Sequence, residues 1–261
     1  MRGRRRRDDA EQARSCEERK GPGELVDMGD SRKLIIIPAF NESANILATV
    51  ERIRAEAPDF DFIVVNDCST DETRKILVEN GIPFLDLPVN LGIGGAVQTG
   101  YMYGVAHGYD MAVQVDGDGQ HDPAFLERMA EQLERSGADM VIGSRFIEKE
   151  GFQSSAARRM GIRWFSWLIR RVSGARVTDP TSGLRMVGRR GMELFAQDYP
   201  RDYPEPETVV TLLMHGLRIE EIPVVMRERQ GGTSSINLRR SVYYMIKVSL
   251  AILFERARKS S

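Results

Sequence analysis

The chain has 261 residues, of which 41% are hydrophobic, and a formal net charge of −1, which suits one α/β domain with appendages and does not indicate a nucleic-acid partner. Its two cysteines, Cys16 and Cys68, exclude a disulfide framework and fit a reducing cytoplasm. The N-terminus lacks the apolar segment of a signal peptide, and no run of about 18 apolar residues is available to span a membrane.

Composition predicts a tail, a main domain and a C-terminal segment. Residues 1–30 are rich in charged residues and glycine and poor in bulky apolar residues, which predicts a disordered tail. Because apolar runs begin at Leu34, we expect a folded domain over 31–230. Residues 231–261 are expected to form a loop and an amphipathic C-terminal helix.

Five apolar runs predict the strands of a buried sheet. They begin at Leu34, Phe62, Pro83, Met111 and Met140. Segments with helical spacing separate the runs, and the first helix is expected to open at Asn41 or Ser43. Alternating strands and helices indicate a mostly parallel central sheet flanked by helices. Later elements are predicted as helices over about 156–172, 205–216 and 236–258 and a strand over 219–226.

Polar residues follow four of these strands. They occupy 38–42, 66–69, 116–120 and 144–145. Because ligands bind at the carboxyl ends of the strands in parallel sheets, we expect these segments to form one site.

The segment Asp116-Gly117-Asp118-Gly119-Gln120 is the strongest chemical signal. Its glycines allow a tight fold that directs both carboxylates toward one point. Mg²⁺ and Mn²⁺ prefer such oxygen ligands and leave positions open for a diphosphate. The alternative is a polar turn after a buried strand. His121 is predicted to be a turn residue beside the metal rather than a ligand.

The segments after the first two strands suggest a nucleotide pocket. Phe40 is suited to pack against a base, while Glu42 and Asp67 are suited to contact the ribose or base. The alternatives are a helix entry for Glu42 and simple helix capping for Asp67. The glycine-rich segment 90–96 lacks the Lys-Ser/Thr of a P-loop, so we interpret its glycines as structural first.

The stretch 151–178 contains no acidic residue. It holds Arg158, Arg159, Arg163, Arg170, Arg171 and Arg176 among aromatic and aliphatic residues. One interpretation is an amphipathic core helix with a solvated basic face. The other is a surface that meets anionic lipid and an acceptor phosphate.

At these residues the chain resembles family 2 glycosyltransferases of the Rossmann-like GT-A fold. Within that family it looks closest to the dolichol-phosphate mannosyltransferase-like branch, which transfers sugars to polyprenyl phosphates. The resemblance covers about 33–253 and rests on ordered motifs, which are PAFNES, VNDCSTDET, NLGIGGAVQTG, VDGDGQHDP, VIGSRF, DPTSGLR, EIPVVMRER and GGTSSI. It implies that 31–230 is a GT-A catalytic domain.

The resemblance also implies roles for individual residues. The residues expected to bind the nucleotide-sugar donor are Pro38, Phe40, Glu42, Asp67, Asp116, Arg229 and Ser234. The residues expected to hold Mg²⁺ or Mn²⁺ are Asp116, Asp118 and Gln120. The residues expected to be catalytic are Asp118, Arg145, Arg159 and Glu207. Departures from the family pattern are Phe40 for Tyr, Asn66 for Asp, Leu184 for Phe and Ser235 for Lys.

The resulting expectation is a metal-dependent, inverting transfer of a sugar to a polyprenyl phosphate. Such an acceptor is anionic at neutral pH and needs no strong base. A sugar hydroxyl of a cell-surface or lipid-linked glycan is the alternative acceptor. It would need a carboxylate base, for which Asp202, Glu205 and Glu207 are candidates.

Two other classes of protein fit these residues less well than a glycosyltransferase does. A nucleotidyltransferase needs a basic glycine-rich loop after its first strand, where this chain has the acidic PAFNES. A non-catalytic nucleotide-sugar-binding protein would be expected to lose metal ligands, whereas both Asp116 and Asp118 are present.

The C-terminal apolar stretch over 242–254 is interrupted by Lys247 and is too short to cross a bilayer. We expect a cytoplasmic, peripheral protein at the inner face of the cell membrane, attached to lipid or to a small membrane protein. The alternative is that this helix packs on the protein's own core. A homo-oligomer is left open.

Overall fold

The structure is a computed structural model that describes residues 31–116, 121–148, 156–200, 204–225, 245–250 and 252–253, the side chains of 156–158 excepted. The predictions for residues 1–30, for Asp118 and Gln120, for Asp202, and for Arg229 and Ser234 lie outside these residues.

One seven-stranded sheet forms the centre of the described chain. Its strands are β1 (Lys33–Ala39), β2 (Asp61–Asn66), β3 (Phe84–Asp86), β4 (Met111–Gln114), β5 (Met140–Ser144), β6 (Arg185–Gly188) and β7 (Ile219–Pro223). Their order across the sheet is β3-β2-β1-β4-β6-β5-β7. The five strands predicted in the first half and the later strand at Ile219 are confirmed, as is the mixed α/β class.

Strand β6 was not predicted. It lies between β4 and β5 and runs antiparallel to both, with Val113 opposite Met186 and Met140 opposite Val187. All other pairs in the sheet are parallel. The sequence pattern predicts β6 poorly, because this strand has only four residues and begins with a charged side chain.

Helices cover both faces of the sheet. They are α1 (Ile46–Glu56), α2 (Thr73–Glu79), α3 (Gly92–Ala106), α4 (Leu126–Ser136), α5 (Ala156–Ser173), α6 (Arg189–Gln197) and α7 (Pro204–Met214). A 3₁₀ turn at Pro123–Phe125 precedes α4, and the Asp122 carboxylate accepts from the Ala124 N–H there. Helix α1 begins at Ile46, later than predicted, and α6 was not predicted.

The alternation of β1 shows how the core is divided. Leu34 and Ile36 belong to one buried cluster, with residues of α3, α5, α6 and α7. Ile35 and Ile37 belong to the other, with residues of α1, α2 and α4. All four side chains are buried because each face of the sheet has its own helical layer.

Close packing explains the glycines of α3. A Cβ placed at Gly100 would collide with the side chain of Ile36 on β1, and one at Gly104 would lie 3.2 Å from Leu34 Cδ2. These two glycines, which lie beyond the 90–96 segment, let the helix approach the sheet. Among the helices that the structure describes, none is long and apolar enough to cross a membrane.

Candidate active site at the carboxyl edge of the sheet

The loops after β1 and β2 are held together by hydrogen bonds. Asn41 has a left-handed backbone with φ of 57°, and its side-chain oxygen accepts from the Thr70 N–H at 2.8 Å. The Asp71 carboxylate accepts from the Ser43 N–H at 3.1 Å and from the Thr73 hydroxyl at 2.6 Å. Burial raises the pKa of Asp71, but hydrogen bonds from Ser43 and Thr73 outweigh it and hold the pKa at about 2. The carboxylate therefore stays ionised and joins the two loops.

The predicted nucleotide-binding residues after β1 lie beside this junction. Pro38 is buried at the end of the strand, whereas Phe40 is 48% exposed. Glu42 is half-buried, donates its N–H to the Thr73 hydroxyl at 2.9 Å and accepts from the Asn45 amide at 3.0 Å. An exposed aromatic ring beside a fixed carboxylate is suited to a base and ribose. Contacts of Phe40 and Glu42 with a nucleotide stay a prediction.

Asp67 acts as the cap of α3. Its two carboxylate oxygens accept from the N–H groups of Leu91 and Gly92 at 2.7 and 2.9 Å, and the residue is buried. A carboxylate at a helix N-terminus is favoured by the helix dipole. The capping alternative is therefore observed. A contact from Asp67 to a nucleotide stays a prediction.

Asp116 follows β4, and its carboxylate lies between Gln114 and His121. Its Oδ1 accepts from the Gln114 amide at 2.8 Å, and its side chain is 35% exposed. Its N–H donates to Nδ1 of the buried His121 at 3.2 Å, while His121 Nε2 lies 3.8 Å from Asp116 Oδ2. Since His121 Nδ1 is used as an acceptor by the backbone, His121 supports the turn, as predicted.

The environment of Asp116 fits a hard divalent cation. The carboxylate accepts a hydrogen bond from the neutral Gln114 amide and is partly open to solvent, and it brings the oxygen chemistry that Mg²⁺ and Mn²⁺ prefer. A Cβ at Gly183 would lie 3.2 Å from the His121 ring and 3.5 Å from Asp116 Oδ2, so the glycine keeps this side uncrowded. The complete set with Asp118 and Gln120 stays a prediction.

Arg145 follows β5 and is locked by a partner that the sequence analysis did not select. Its Nε and Nη2 donate to the two oxygens of Asp179 at 2.7 and 2.8 Å, and Nη2 also donates to the Thr181 hydroxyl at 3.0 Å. Asp179 is fully buried, and the Arg145 side chain is 11% exposed. This bidentate pair fixes the plane of the guanidinium.

Glu221 of β7 holds the 178–183 loop, which contains Asp179 and Thr181, through hydrogen bonds. Its carboxylate accepts from the N–H groups of Thr178 and Asp179 at 2.8 and 2.9 Å. Burial raises the pKa of Glu221, although these hydrogen bonds act in the opposite direction. Ser182 donates its hydroxyl to the Gly143 carbonyl at 2.6 Å. The 178–183 loop is thus tied to β5 and β7, and it contacts Arg145 at one end and approaches Asp116 at the other.

Arg185 of β6 is a buried charge that the sequence analysis missed. Its Nη1 donates to the carbonyls of Pro204 and Glu205 at 3.3 and 3.2 Å, and to the Thr208 hydroxyl. Burial alone would lower the pKa of Arg185. The negative charges of its surroundings, including Glu205 and Asp116, have the larger effect and raise this pKa above its ordinary value. The signal for this residue was an arginine opening an apolar strand at the end of DPTSGLR.

This arginine links β6 to the first turn of α7, where Glu205 and Glu207 lie half-buried. We expect Arg185→Met to lower the free energy of unfolding by roughly 3 kcal/mol, because hydrogen bonds from a buried charge are lost. Chemical denaturation measures the loss. Arg135→Met is the matched control, since Arg135 is exposed on α4 and donates to Gln132 of the same helix, and its loss should cost under about 1 kcal/mol. Equal losses for the two variants would contradict this role.

The remaining predicted residue in the described chain is Arg159, which lies exposed near the start of α5. The structure thus brings Pro38, Phe40, Glu42 and Asp67 to the carboxyl edge, with Asp116 after the neighbouring β4. Arg145 contacts Asp179 and Thr181 of the 178–183 loop, and Gly183 of the same loop lies beside Asp116. Asp179, Glu221 and Arg185 are the supporting residues that sequence reasoning did not select.

The mostly parallel sheet, with Asp116 after β4 and a fixed Arg145 after β5, is the arrangement expected of a glycosyltransferase of the GT-A fold. The family model for Glycosyl transferase family 2 matches residues 34–194, which is more than half of the chain. The chain belongs to this family.

Relatives with assigned names agree with that membership. The undecaprenyl-phosphate mannosyltransferase of Micrococcus luteus is 31% identical over 215 residues, which cover 79% of this chain and 88% of that protein. The polyprenol monophosphomannose synthase of Mycolicibacterium smegmatis is 27% identical over 240 residues, which cover 87% of this chain and 90% of that protein.

Among solved structures, glucosyl-3-phosphoglycerate synthase from Mycobacterium tuberculosis has a similar fold. Its complex with Mn²⁺, uridine-diphosphate-glucose and phosphoglyceric acid gives a TM-score of 0.68 at 20% identity, over 87% of this chain and 80% of that chain. Its complex with Mg²⁺ and uridine-diphosphate gives a TM-score of 0.62, over 87% and 79%. These similarities confirm the GT-A fold.

Proposed function

We propose that this glycosyltransferase transfers a sugar from a nucleotide-diphosphate sugar to a polyprenyl phosphate, with inversion and with Mg²⁺ or Mn²⁺. The observation that carries the lipid acceptor is the extent of the similarity to two enzymes named for such acceptors. It covers nearly the full length of both relatives. Because the chain is a family 2 enzyme, the non-catalytic alternative is dropped.

The chemistry of a phosphate acceptor supports the proposal, because the site has to position the acceptor oxygen and does not have to remove a proton from it. A phosphate monoester is already anionic at neutral pH, so its oxygen can attack the sugar without a strong general base. Asp179 holds the Arg145 guanidinium in place. A phosphate bound beside Arg145 would therefore meet an ordered donor group with little loss of side-chain entropy. Arg159 is proposed as the second phosphate-binding arginine.

The donor side is proposed to use the edge of the sheet. Phe40, Glu42 and Asp67 would hold the nucleoside, and Asp116 with Asp118 and Gln120 would hold the metal. The bound metal supplies positive charge that stabilises the leaving diphosphate. Gln114 keeps the Asp116 carboxylate oriented through its 2.8 Å hydrogen bond. Arg229 and Ser234 are proposed to close over the donor.

Transfer to a sugar hydroxyl is the second candidate, and the position of Glu207 favours it. Glu205 and Glu207 are half-buried in the first turn of α7, which Arg185 fixes through the Pro204 and Glu205 carbonyls. A carboxylate on this turn could act as the base that a hydroxyl requires. In the phosphate-acceptor reaction, Glu207 would instead help to position the acceptor.

The acceptor also suggests where the enzyme works. A polyprenyl phosphate resides in a membrane, and nucleotide sugars are cytoplasmic, so we propose a peripheral location at the inner face of the cell membrane. A small membrane protein as anchor and a homo-oligomer stay predictions.

A transfer assay with matched lipids tests the proposed function. Purified full chain is incubated with a panel of labelled nucleotide sugars and Mn²⁺, with undecaprenyl phosphate or with undecaprenol in detergent. We expect labelled lipid only from undecaprenyl phosphate, because undecaprenol lacks the anionic nucleophile. NMR of the product should give the anomeric configuration opposite to that of the donor.

Two outcomes would overturn this assignment. Transfer to undecaprenol or to a glycan hydroxyl, but not to the lipid phosphate, would favour the base-assisted alternative. Release of nucleoside diphosphate without any lipid product, across the full donor panel, would remove the lipid acceptor from the proposal.

A further inference from the structure

The C-terminal helical residues 245–250 and 252–253 have one apolar side packed on the protein. Val248 and Ile252 are buried in the same core cluster as Phe165 of α5. The Trp164 indole N–H donates to the Ser249 hydroxyl at 2.9 Å. This side of the helix therefore packs on the protein's own core, as the alternative in the sequence analysis expects.

The same helical segment has a second apolar side that is not buried. Ile246, Leu250 and Leu253 follow one another at a spacing of four and three residues, and each is about half exposed. Core packing explains Val248 and Ile252 but leaves these three side chains in contact with water. Exposed apolar clusters of this kind mark interaction surfaces.

Helix α5 continues this exposed apolar surface. Met160 is 71% exposed, and Trp164 and Trp167 are 44% and 53% exposed with ring centroids 5.2 Å apart. The Trp164 hydrogen bond to Ser249 places the helical segment directly beside α5. We call the combined surface the docking face. It consists of Met160, Trp164, Trp167, Ile246, Leu250 and Leu253.

Positive charge borders the docking face. Arg163, Arg170 and Arg171 are exposed on α5, and Trp167, Arg170 and Arg171 line an open depression in the surface. No acidic residue occurs in 151–178 to offset them. An indole beside guanidinium groups offers an apolar plane together with donors for a phosphate, the combination that suits the headgroup layer of an anionic bilayer.

We propose that the docking face binds an anionic bilayer, with its apolar side chains in the headgroup layer and its arginines on lipid phosphates. A bilayer is favoured over a protein partner because every formal charge along α5 has the same sign. The inference deepens the proposed function and rests on it for the source of the acceptor. Helix α5 itself carries Arg159 and packs against α7, which carries Glu207, so the bilayer would lie beside the proposed acceptor site.

Vesicle sedimentation with the full chain tests this surface. The probes are phosphatidylcholine vesicles with and without phosphatidylglycerol, at low and high salt. We expect binding to the anionic vesicles only, weakened by salt. Arg163→Glu with Arg170→Glu should lower the partition coefficient more than tenfold, since each neutralised charge alone is worth roughly fivefold. Trp167→Ser with Leu250→Ser should lower it by a similar factor at either salt concentration.

Matched controls separate the docking face from general surface effects. Arg128→Glu with Arg135→Glu changes two exposed charges on α4, and Met102→Ser removes an exposed apolar side chain of α3. These variants should bind vesicles as the wild type does. Every variant should keep the wild-type thermal unfolding midpoint, so that loss of binding is not loss of folding.

Four outcomes overturn the proposal. The wild type fails to bind anionic vesicles, the docking-face variants bind as well as the wild type, the chain forms a dimer in solution that Leu250→Ser dissociates, or the wild type sediments only with vesicles that contain a membrane protein. Transfer to undecaprenyl phosphate in detergent keeps this test separate from the proposed function. We expect the docking-face variants to retain that transfer. A wild type that binds vesicles without transferring would refute the function and leave the docking face.

Discussion

Asp116→Asn is expected to lower the rate of sugar transfer by about three orders of magnitude while leaving the fold intact, and Asp118→Asn is expected to do the same. The loss follows from weaker metal binding, since stabilisation of charge on a leaving group by a metal is worth several kcal/mol. The fold should survive because Asp116 is 35% exposed and its N–H, which contacts His121, is unchanged. The assay is transfer at saturating donor, with and without EDTA.

Direct binding makes the test independent of turnover. Titration of Mn²⁺ in the presence of a nucleoside diphosphate should show a site in the wild type that Asp116→Asn weakens. Asp59→Asn is the matched control, because it changes an exposed carboxylate in the turn before β2. Wild-type transfer by either the Asp116 or the Asp118 variant, or full transfer in EDTA, would rule out the metal assignment.

The sheet was largely predictable because its strands are buried on both faces. A run such as Leu34-Ile35-Ile36-Ile37 contributes alternate residues to two cores, so it reads as continuously apolar. Strand β6 was missed because Arg185 opens it and only Met186 and Val187 are strongly apolar. Its antiparallel pairing depends on contacts with β4 and β5, and no local sequence pattern encodes those.

The carboxyl edge was predictable from the polar residues that follow the strands, and the structure places them there. The supporting residues were not. Asp179 and Glu221 are far from Arg145 in sequence, and their pairing arises only when β5 and β7 lie side by side. Asp67 illustrates the reverse case. A carboxylate after a strand suits a ligand or a helix cap equally well, and only the folded chain shows its bonds to Leu91 and Gly92.

Arg145→Ala is expected to abolish most turnover and also to destabilise the protein by roughly 3–5 kcal/mol. The loss of stability is expected because removing Arg145 leaves the fully buried Asp179 carboxylate without its bidentate partner. Arg145→Lys should rescue poorly, since one ammonium cannot reproduce the paired hydrogen bonds to both oxygens. Denaturant unfolding and transfer kinetics measure the two effects.

Arg159→Ala provides the contrast that separates structure from chemistry. Arg159 is exposed on α5, so its loss should leave the free energy of unfolding nearly unchanged while turnover falls. Asp179→Asn isolates the support of Arg145, since it keeps Arg145 but weakens the charge that holds it, and it should lower turnover less than Arg145→Ala does. Wild-type turnover in the folded fraction of Arg145→Ala would show that Arg145 serves only the fold. Wild-type turnover in Arg159→Ala would remove Arg159 from the site.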